Sequence, residues 1–203
     1  MTEPTESDVE WPVALRGVTE SVVATLGPNE KWNFAALGLH AGDPVTARTW
    51  GKTRTRRNFH EEGEGVVQFL ADPAVFAESA FSIFERSSPT HPAADAWVRV
   101  TVERADGGES GGTSWAEWEL TPVESGVEAE RVPTTNRGYG AVIEATVAAS
   151  RLDVDAYDTD ELRDRLAYFE SVVETCGGER EREAMALVRD RTAWDGSQDD
   201  TDE

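Results

Sequence analysis

The segment from Ala47 to Phe69, ARTWGKTRTRRNFHEEGEGVVQF, contains Arg48, Lys52, Arg54, Arg56 and Arg57, with no acidic residue between Pro44 and His60. Thr49, Thr53 and Thr55 are interleaved with these cations. Guanidinium groups and hydroxyls crowded into one short stretch form a donor set for an oxyanion. The pattern of strand, Gly/Thr/Arg loop and short helix would add backbone amides and the positive end of a helix dipole. On the residues alone two readings stay open: a phosphate ligand, or arginines paired with surface carboxylates. Gly51 stands alone, so the stretch is neither a G-x-x-x-x-G-K loop nor a G-x-G-x-x-G fingerprint.

These cations are scarce elsewhere. The 203-residue chain has 40 Asp and Glu against 19 Lys and Arg, for a formal charge of −21, and its only lysines are Lys31 and Lys52. Such a balance is typical of halophilic proteins, whose carboxylated surfaces keep them hydrated in concentrated salt. At about 1 M salt the Debye length falls to roughly 3 Å, so an anion site has to work by direct contact. Sequence-independent nucleic-acid binding needs several phosphate contacts and weakens as salt rises, which argues against that class of partner.

Other chemistry finds little support. Cys176 is the only cysteine, which excludes an internal disulfide, and it sits at a helix end beside Gly177 and Gly178, where a small packed or capping residue is expected. His40, His60 and His91 do not pair with it at a metal-ligand spacing, and no metal site is expected. Tyr139, Tyr157 and His40 have the chemistry of a general acid, but nothing in the sequence places one beside a substrate. No apolar run of about 18 residues is present, and MTEPTESDVE lacks the basic-then-apolar pattern of a signal peptide. A cytoplasmic protein with no membrane segment is expected.

The elements that must position the basic stretch are legible in outline. Val18 to Leu26 and Lys31 to His40 form a predicted hairpin across Gly27-Pro28-Asn29-Glu30, and Val45 to Trp50 a third strand. The basic segment turns helical from about Arg56 until Gly63, and Gly65 to Leu70 reads as a buried strand. Asp72 to Phe84 has helical spacing after an Asp-Pro start. Ala96 to Glu103 and Ser114 to Leu120 alternate with period two, joined by ADGGESGGT as a long flexible loop. Trp97, Trp115 and Trp118 on this pair read as core or dimer-interface residues. Helices are predicted over Gly138 to Ser150, from Asp158 onward, and over Glu179 to Arg191. The expected class is α+β, with a β-rich part over residues 12–132, a helical part over 133–192, and acidic tails over 1–11 and 193–203.

Thr55-Arg56-Arg57-Asn58-Phe59 followed by EEGEGVVQF resembles the T-x-x-N-hydrophobic, G-E-hydrophobic-V-V-N segment of FMN-binding split-barrel proteins, which include small flavin reductases and pyridoxamine phosphate oxidases. The order WNFAALG, TWGKTRTRRNF, VVQFLADPAVF, PTTNRGYGAVIEATVAASRL is similar to an archaeal branch of that superfamily, domain-of-unknown-function family 447, over roughly residues 18–191. The resemblance implies a split β-barrel of the FMN-binding type with a C-terminal three-helix extension, a homodimer, and FMN near the subunit interface. It implies Thr55 and Asn58 near the phosphate with Thr53 and Arg54 beside them, and Asn33, Phe34, Ala35 and Ala36 on the strand along the isoalloxazine ring. Gln68 stands where the superfamily usually has Asn. Arg54 replaces a common acidic residue, which keeps the deazaflavin F420 as an alternative cofactor. Asn136 and Arg137, ahead of a helix, are further candidates, with helix capping and a surface ion pair as their structural roles. The implied function is an oxidoreductase acting on a small redox partner such as a pterin; the alternative is a non-catalytic flavin, deazaflavin or nucleotide binder.

Overall fold

The computed structural model describes residues 9–192 and residue 194. The chain divides into two compact units, one built from residues up to 71 together with 83–131, the other from 72–82 together with residues from 132 onward.

The first unit is a barrel. Its strands are β1 (Val18–Leu26), β2 (Trp32–His40), β3 (Val45–Trp50), β4 (Glu64–Leu70), β5 (Phe84–Arg86), β6 (Ala94–Ser110) and β7 (Thr113–Val127). The order β1-β4-β6-β7-β3-β2 closes through an antiparallel β1–β2 pairing, and β5 adds to the edge of β2 that β3 leaves partly unpaired. Closure removes the unpaired edges that an open sheet would leave. Val23, Leu37, Leu39, Val67, Val98, Val100 and Leu120 fill the interior, with Trp11, Val13 and Leu15 packed against them.

Between β3 and β4 lies helix α1 (Arg54–Glu62), begun by Thr53 and stopped by Gly63, whose φ of 65° suits a residue without Cβ. Thr55, Asn58 and Phe59 are its buried residues, the i, i+3, i+4 spacing of one helix face. That face turns to the barrel end where β1 and β3 finish and β2 and β4 begin, and Phe59 enters the core with its ring 5.4 Å from Trp118, edge-on. Burying such a ring stabilises by about 1.5–3 kcal/mol.

The second unit is helical: α2 (Pro73–Phe81), α3 (Arg137–Ala149), α4 (Thr159–Cys176) and α5 (Glu179–Arg191). Ala74, Ala77, Val142, Ala145, Leu166, Val173, Ala184 and Val188 form its core. The three C-terminal helices match the sequence reading, and α2, from the middle of the chain, packs with them. Asp72 caps α2, Asn136 caps α3 and Asp158 caps α4, each accepting from a backbone amide in the first turn.

Three expectations need correction. ADGGESGGT is not a flexible loop: β6 and β7 continue through it as a paired ribbon to a turn at Gly111-Gly112, whose φ values of 55° and 75° match the twist of a tight hairpin. The helix predicted to reach Phe84 stops at Phe81, and Phe84–Arg86 pairs with Trp32–Phe34, a non-local partnership too short to leave a period in the sequence. The acidic tails lie mostly outside the described residues, yet Trp11 packs 6.5 Å from the Phe69 ring and Trp194 is buried in the helical core, because indole area is worth more buried than solvated.

Two measurements test this packing. A Cβ on Gly138 would lie 2.6 Å from the Gly177 Cα, whereas one on Gly140 meets nothing within 4 Å. Gly138→Ala is expected to lower stability by about 1–3 kcal/mol, and Gly140→Ala, in the same helix, to raise it by about 0.4–1 kcal/mol, both read by thermal unfolding. Burial pushes the Asp72 carboxyl up, but hydrogen bonds from Arg180 and the Val75 and Ala74 amides outweigh it and hold the pKa below 3.8. A lowered folded pKa gives stability present above the unfolded value and lost as pH falls through the folded one. Asp72→Asn keeps the cap but should flatten the acid limb of the unfolding curve below about pH 4.

Candidate functional site

The turn after β3 sets the cations in place. Thr53 accepts from the Arg56 amide at 3.2 Å, fixing the first turn of α1, while the Arg54 and Thr55 amides, at the start of the helix, have no carbonyl one turn behind them. With Thr55, Asn58 and Phe59 turned inward, Arg54, Arg56, Arg57 and His60 fall on the other side. They border a cleft of about 490 Å³ whose remaining wall is Lys52, Thr53 and Arg104, and whose floor is Ala116 and Trp118. Among the described residues no carboxylate lines it.

The cations differ in how far they are already committed. Arg54 pairs with Glu85 of β5, and Arg57 donates to Asn58 Oδ1 at 3.0 and 3.2 Å and lies 3.9 Å from Glu61. Arg56 donates to the Gly51 carbonyl and the Ser114 hydroxyl, both at 3.0 Å, which tethers the turn to β7. Among the described residues Lys52, Arg56 and Arg104 have no carboxylate within ion-pair distance. Of the two readings that the stretch allowed, surface pairing accounts for Arg48, which pairs with Glu117 at 2.7 Å and stacks on Trp115, and in part for Arg54 and Arg57. It leaves two cations of the stretch, Lys52 and Arg56, without a carboxylate, and Arg104 joins them from β6.

Of the sequence-predicted residues, Thr53 and Arg54 line the cleft. Thr55 and Asn58 lie behind it, on the core side, where the Asn58 amide donates to Thr25 Oγ1 at 3.0 Å. Thr25 is the β1 partner of Asn33, and Asn33 is the β2 partner of Glu85, so Asn33, Arg54 and Asn58 meet at one end of the barrel. Along β2, Ala35 shares the interior side of Leu37 and Leu39, while Phe34 and Ala36 point to the other face, where Phe34 packs 5.1 Å from Phe84. One edge of β2 pairs with β5 only at Trp32–Phe34 and with β3 only at Leu39 and His40, so among the described residues Ala35 to Gly38 have no strand partner there. That gap is the split in the barrel, and β3 leads from it into the cationic turn. Gln68, fully buried, accepts from the His91 amide and donates to the Pro89 carbonyl, pinning the loop after β5. Arg137 is the exposed first residue of α3 in the helical unit.

Asn136 acts as a cap, accepting from the Gly138 amide at 2.7 Å. His40 is exposed, Tyr157 stacks under Arg151, and Cys176 is a half-buried residue ending α4. Among the described residues no three His, Cys, Asp or Glu side chains gather to hold a metal, and no helix is long and apolar enough to cross a membrane. Sequence reasoning missed Arg104, His60, Glu85 and Trp118. Arg104 sits at a register shift of β6 opposite Trp118, and only the strand pairing brings it to α1.

A ring of antiparallel strands open along part of one seam, with a cationic helix start beside the opening, defines a split β-barrel of the FMN-binding type. Two family models match in succession, "Protein of unknown function (DUF447) N-terminal domain" over residues 19–129 and "Protein of unknown function (DUF447)" over 136–190. The chain belongs to the DUF447 family. It is similar to the FMN-bound protein MM1853 from Methanosarcina mazei, with 26% identity and a TM-score of 0.74 over 87% of this chain and 96% of that one. More distant likenesses are to the flavin reductase HpaC complexed with NADP+ (14% identity, TM-score 0.41, 57% and 81% of the two chains) and the styrene monooxygenase flavin reductase from Pseudomonas putida S12 (13%, 0.42, 58% and 93%).

The pair that seats α1 is open to test. Asn58→Ala should cost about 1–3 kcal/mol by stranding a buried partner. Thr25→Val and Asn58→Ala combined should cost less than their sum, because each removes the same bond. Denaturant unfolding in molar KCl reads both.

Proposed function

We propose that this protein binds FMN and works as an oxidoreductase on a small redox partner, a pterin being one candidate, as a homodimer. The observation that carries the reading is the cationic turn beside the open edge of β2, in a chain of −21 formal charge. The likeness to an FMN-bound family member supports the same cofactor. The donor set fits a phosphate: the Lys52 ammonium, the Thr53 hydroxyl, the Arg54 guanidinium, and the amides of Arg54 and Thr55 at a helix N-terminus. In this reading the ring lies along Asn33 to Ala36, where Ala35 and Ala36 present backbone with no strand partner on the open edge.

FMN, when bound, supplies the hydride and electron chemistry. The chain's share is grip and orientation. Lys52, Thr53 and Arg54 would hold the phosphate end and the β2 edge would hold the ring, while Phe34, packed on Phe84 and His91, keeps that strand rigid. Glu85 tempers the grip, because its carboxylate competes with a phosphate for Arg54.

Addition of FMN in molar KCl should quench flavin fluorescence and leave the flavin co-eluting with protein at the mass of a dimer. Arg54→Ala should weaken FMN by about 1.5–3 kcal/mol, the range for a charge-assisted contact. Glu85→Gln should tighten it by releasing Arg54. A protein that takes up no FMN, or an Arg54→Ala variant of unchanged affinity, overturns the phosphate assignment; turnover with a reduced pterin tests the reaction separately.

A further inference from the structure

The cleft is longer than a phosphate. From Arg54 to His60 the cationic face of α1 runs six helical steps, about 9 Å at 1.5 Å per residue, and Lys52 and Thr53 carry the wall further ahead of the helix start. A single phosphate held at the start of α1 is touched over only about 3 Å on each side. The far part of the wall is therefore unexplained by FMN. There Arg57 and His60 stand one turn apart on the same side of α1, and Arg104 faces the cleft from β6. The Val102 amide donates to the Gly63 carbonyl at 2.9 Å, which brings β6 alongside the end of α1 and sets Arg104 two residues further on.

Arg104 is placed by a specific device. The β6–β7 register shifts between Arg104 and Asp106, and a bulge of this kind turns a side chain away from its regular direction. The guanidinium lies against Gly107 and makes a long, 3.5 Å contact to the Asp106 carbonyl, and no carboxylate pairs with it among the described residues. An arginine without a carboxylate partner, lining the same cleft as Arg57 and His60 with no carboxylate among the described lining residues, is arranged for an anion.

We propose that the His60–Arg104 end of the cleft is a second anion subsite, and that it binds a phosphate group carried by the molecule that meets the flavin. Its partner in the reaction is then a phosphorylated small molecule with charge remote from its reacting ring. This rests on the cofactor reading above, with the FMN phosphate at the other end. Phosphate is favoured over carboxylate because an arginine fork, a second arginine and an imidazole converge from both walls, which suits a tetrahedral acceptor with several oxygens.

The test uses the full chain loaded with FMN in molar KCl, titrated calorimetrically with inorganic pyrophosphate. Binding at one site is expected without release of FMN. The double variant Arg104→Gln, His60→Gln should weaken pyrophosphate at least about tenfold, equivalent to about 1.4 kcal/mol, while FMN affinity stays within about threefold. Arg104→Lys alone should retain part of the pyrophosphate affinity, a charge effect that a merely structural role would not show. Pyrophosphate that fails to bind, that binds the double variant as well as the wild type, or that only displaces FMN, overturns the subsite. Equal binding of tricarballylate overturns phosphate as its ligand. If the wild type takes up no FMN but pyrophosphate still binds and the double variant loses it, the cofactor reading falls and the subsite stands.

Discussion

The seating of α1 on the barrel end is the constraint on which the site depends, and the Asn58–Thr25 bond with the Phe59 plug enforces it. Both side chains of the bond are buried, so water does not compete and an unmade bond would leave two stranded polar groups. A helix turns about 100° per residue, so the same contacts that send Asn58 and Phe59 inward determine where every neighbouring arginine goes. Shifting the inward set by one residue would bury a guanidinium without a partner, at a cost of several kcal/mol. The cationic wall is thus a consequence of core packing as much as of composition.

Placement matters more here than charge. In concentrated salt a diffuse positive field extends only a few ångströms, so five cations spread over a surface would attract nothing. In this cleft Lys52, Arg54, Arg56, Arg57 and Arg104 converge on one volume with no carboxylate among the lining side chains. Carboxylates are present one layer out: Glu85 on Arg54 and Glu61 near Arg57. They steady the arginines and reduce the repulsion between them without entering the cleft, which lets an acidic chain carry a local anion site.

Local features of the fold were legible in the sequence and non-local ones were not. Gly63, Asp72-Pro73, Asp158 and the Gly177-Gly178 break all announce helix limits through backbone chemistry that acts within a turn, and the helices follow them closely, while α1, expected from about Arg56, starts two residues earlier behind the Thr53 cap. The Gly-rich ADGGESGGT looked like a linker because glycine weakens strands in general; here the Trp115 ring lies against Gly108, 3.2 Å from where its Cβ would be, and supplies the packing that glycine lacks. β5 exists only because Trp32–Phe34 offers it an edge. For the site, the basic turn itself was visible, but Arg104 and Glu85 join it through strand register and chain closure, and no local pattern records either.

The barrel has to be incomplete at one place to serve a planar ligand. A ring of strands with every edge paired exposes no backbone hydrogen-bonding group, and the core fills its interior. β2 escapes this because its neighbours on one edge, β5 and β3, take only its two ends, leaving Ala35 to Gly38 between them. Small side chains at Ala35, Ala36 and Gly38 keep that stretch open to close approach. The same divergence of β3 from β2 carries the chain outward into the Gly51–Thr53 turn, so one departure from closure produces both an accessible strand edge and the loop that starts the anion-binding helix. Strand edge and helix start are therefore coupled through β3: a change that zipped β3 fully onto β2 would close the gap and withdraw the turn together.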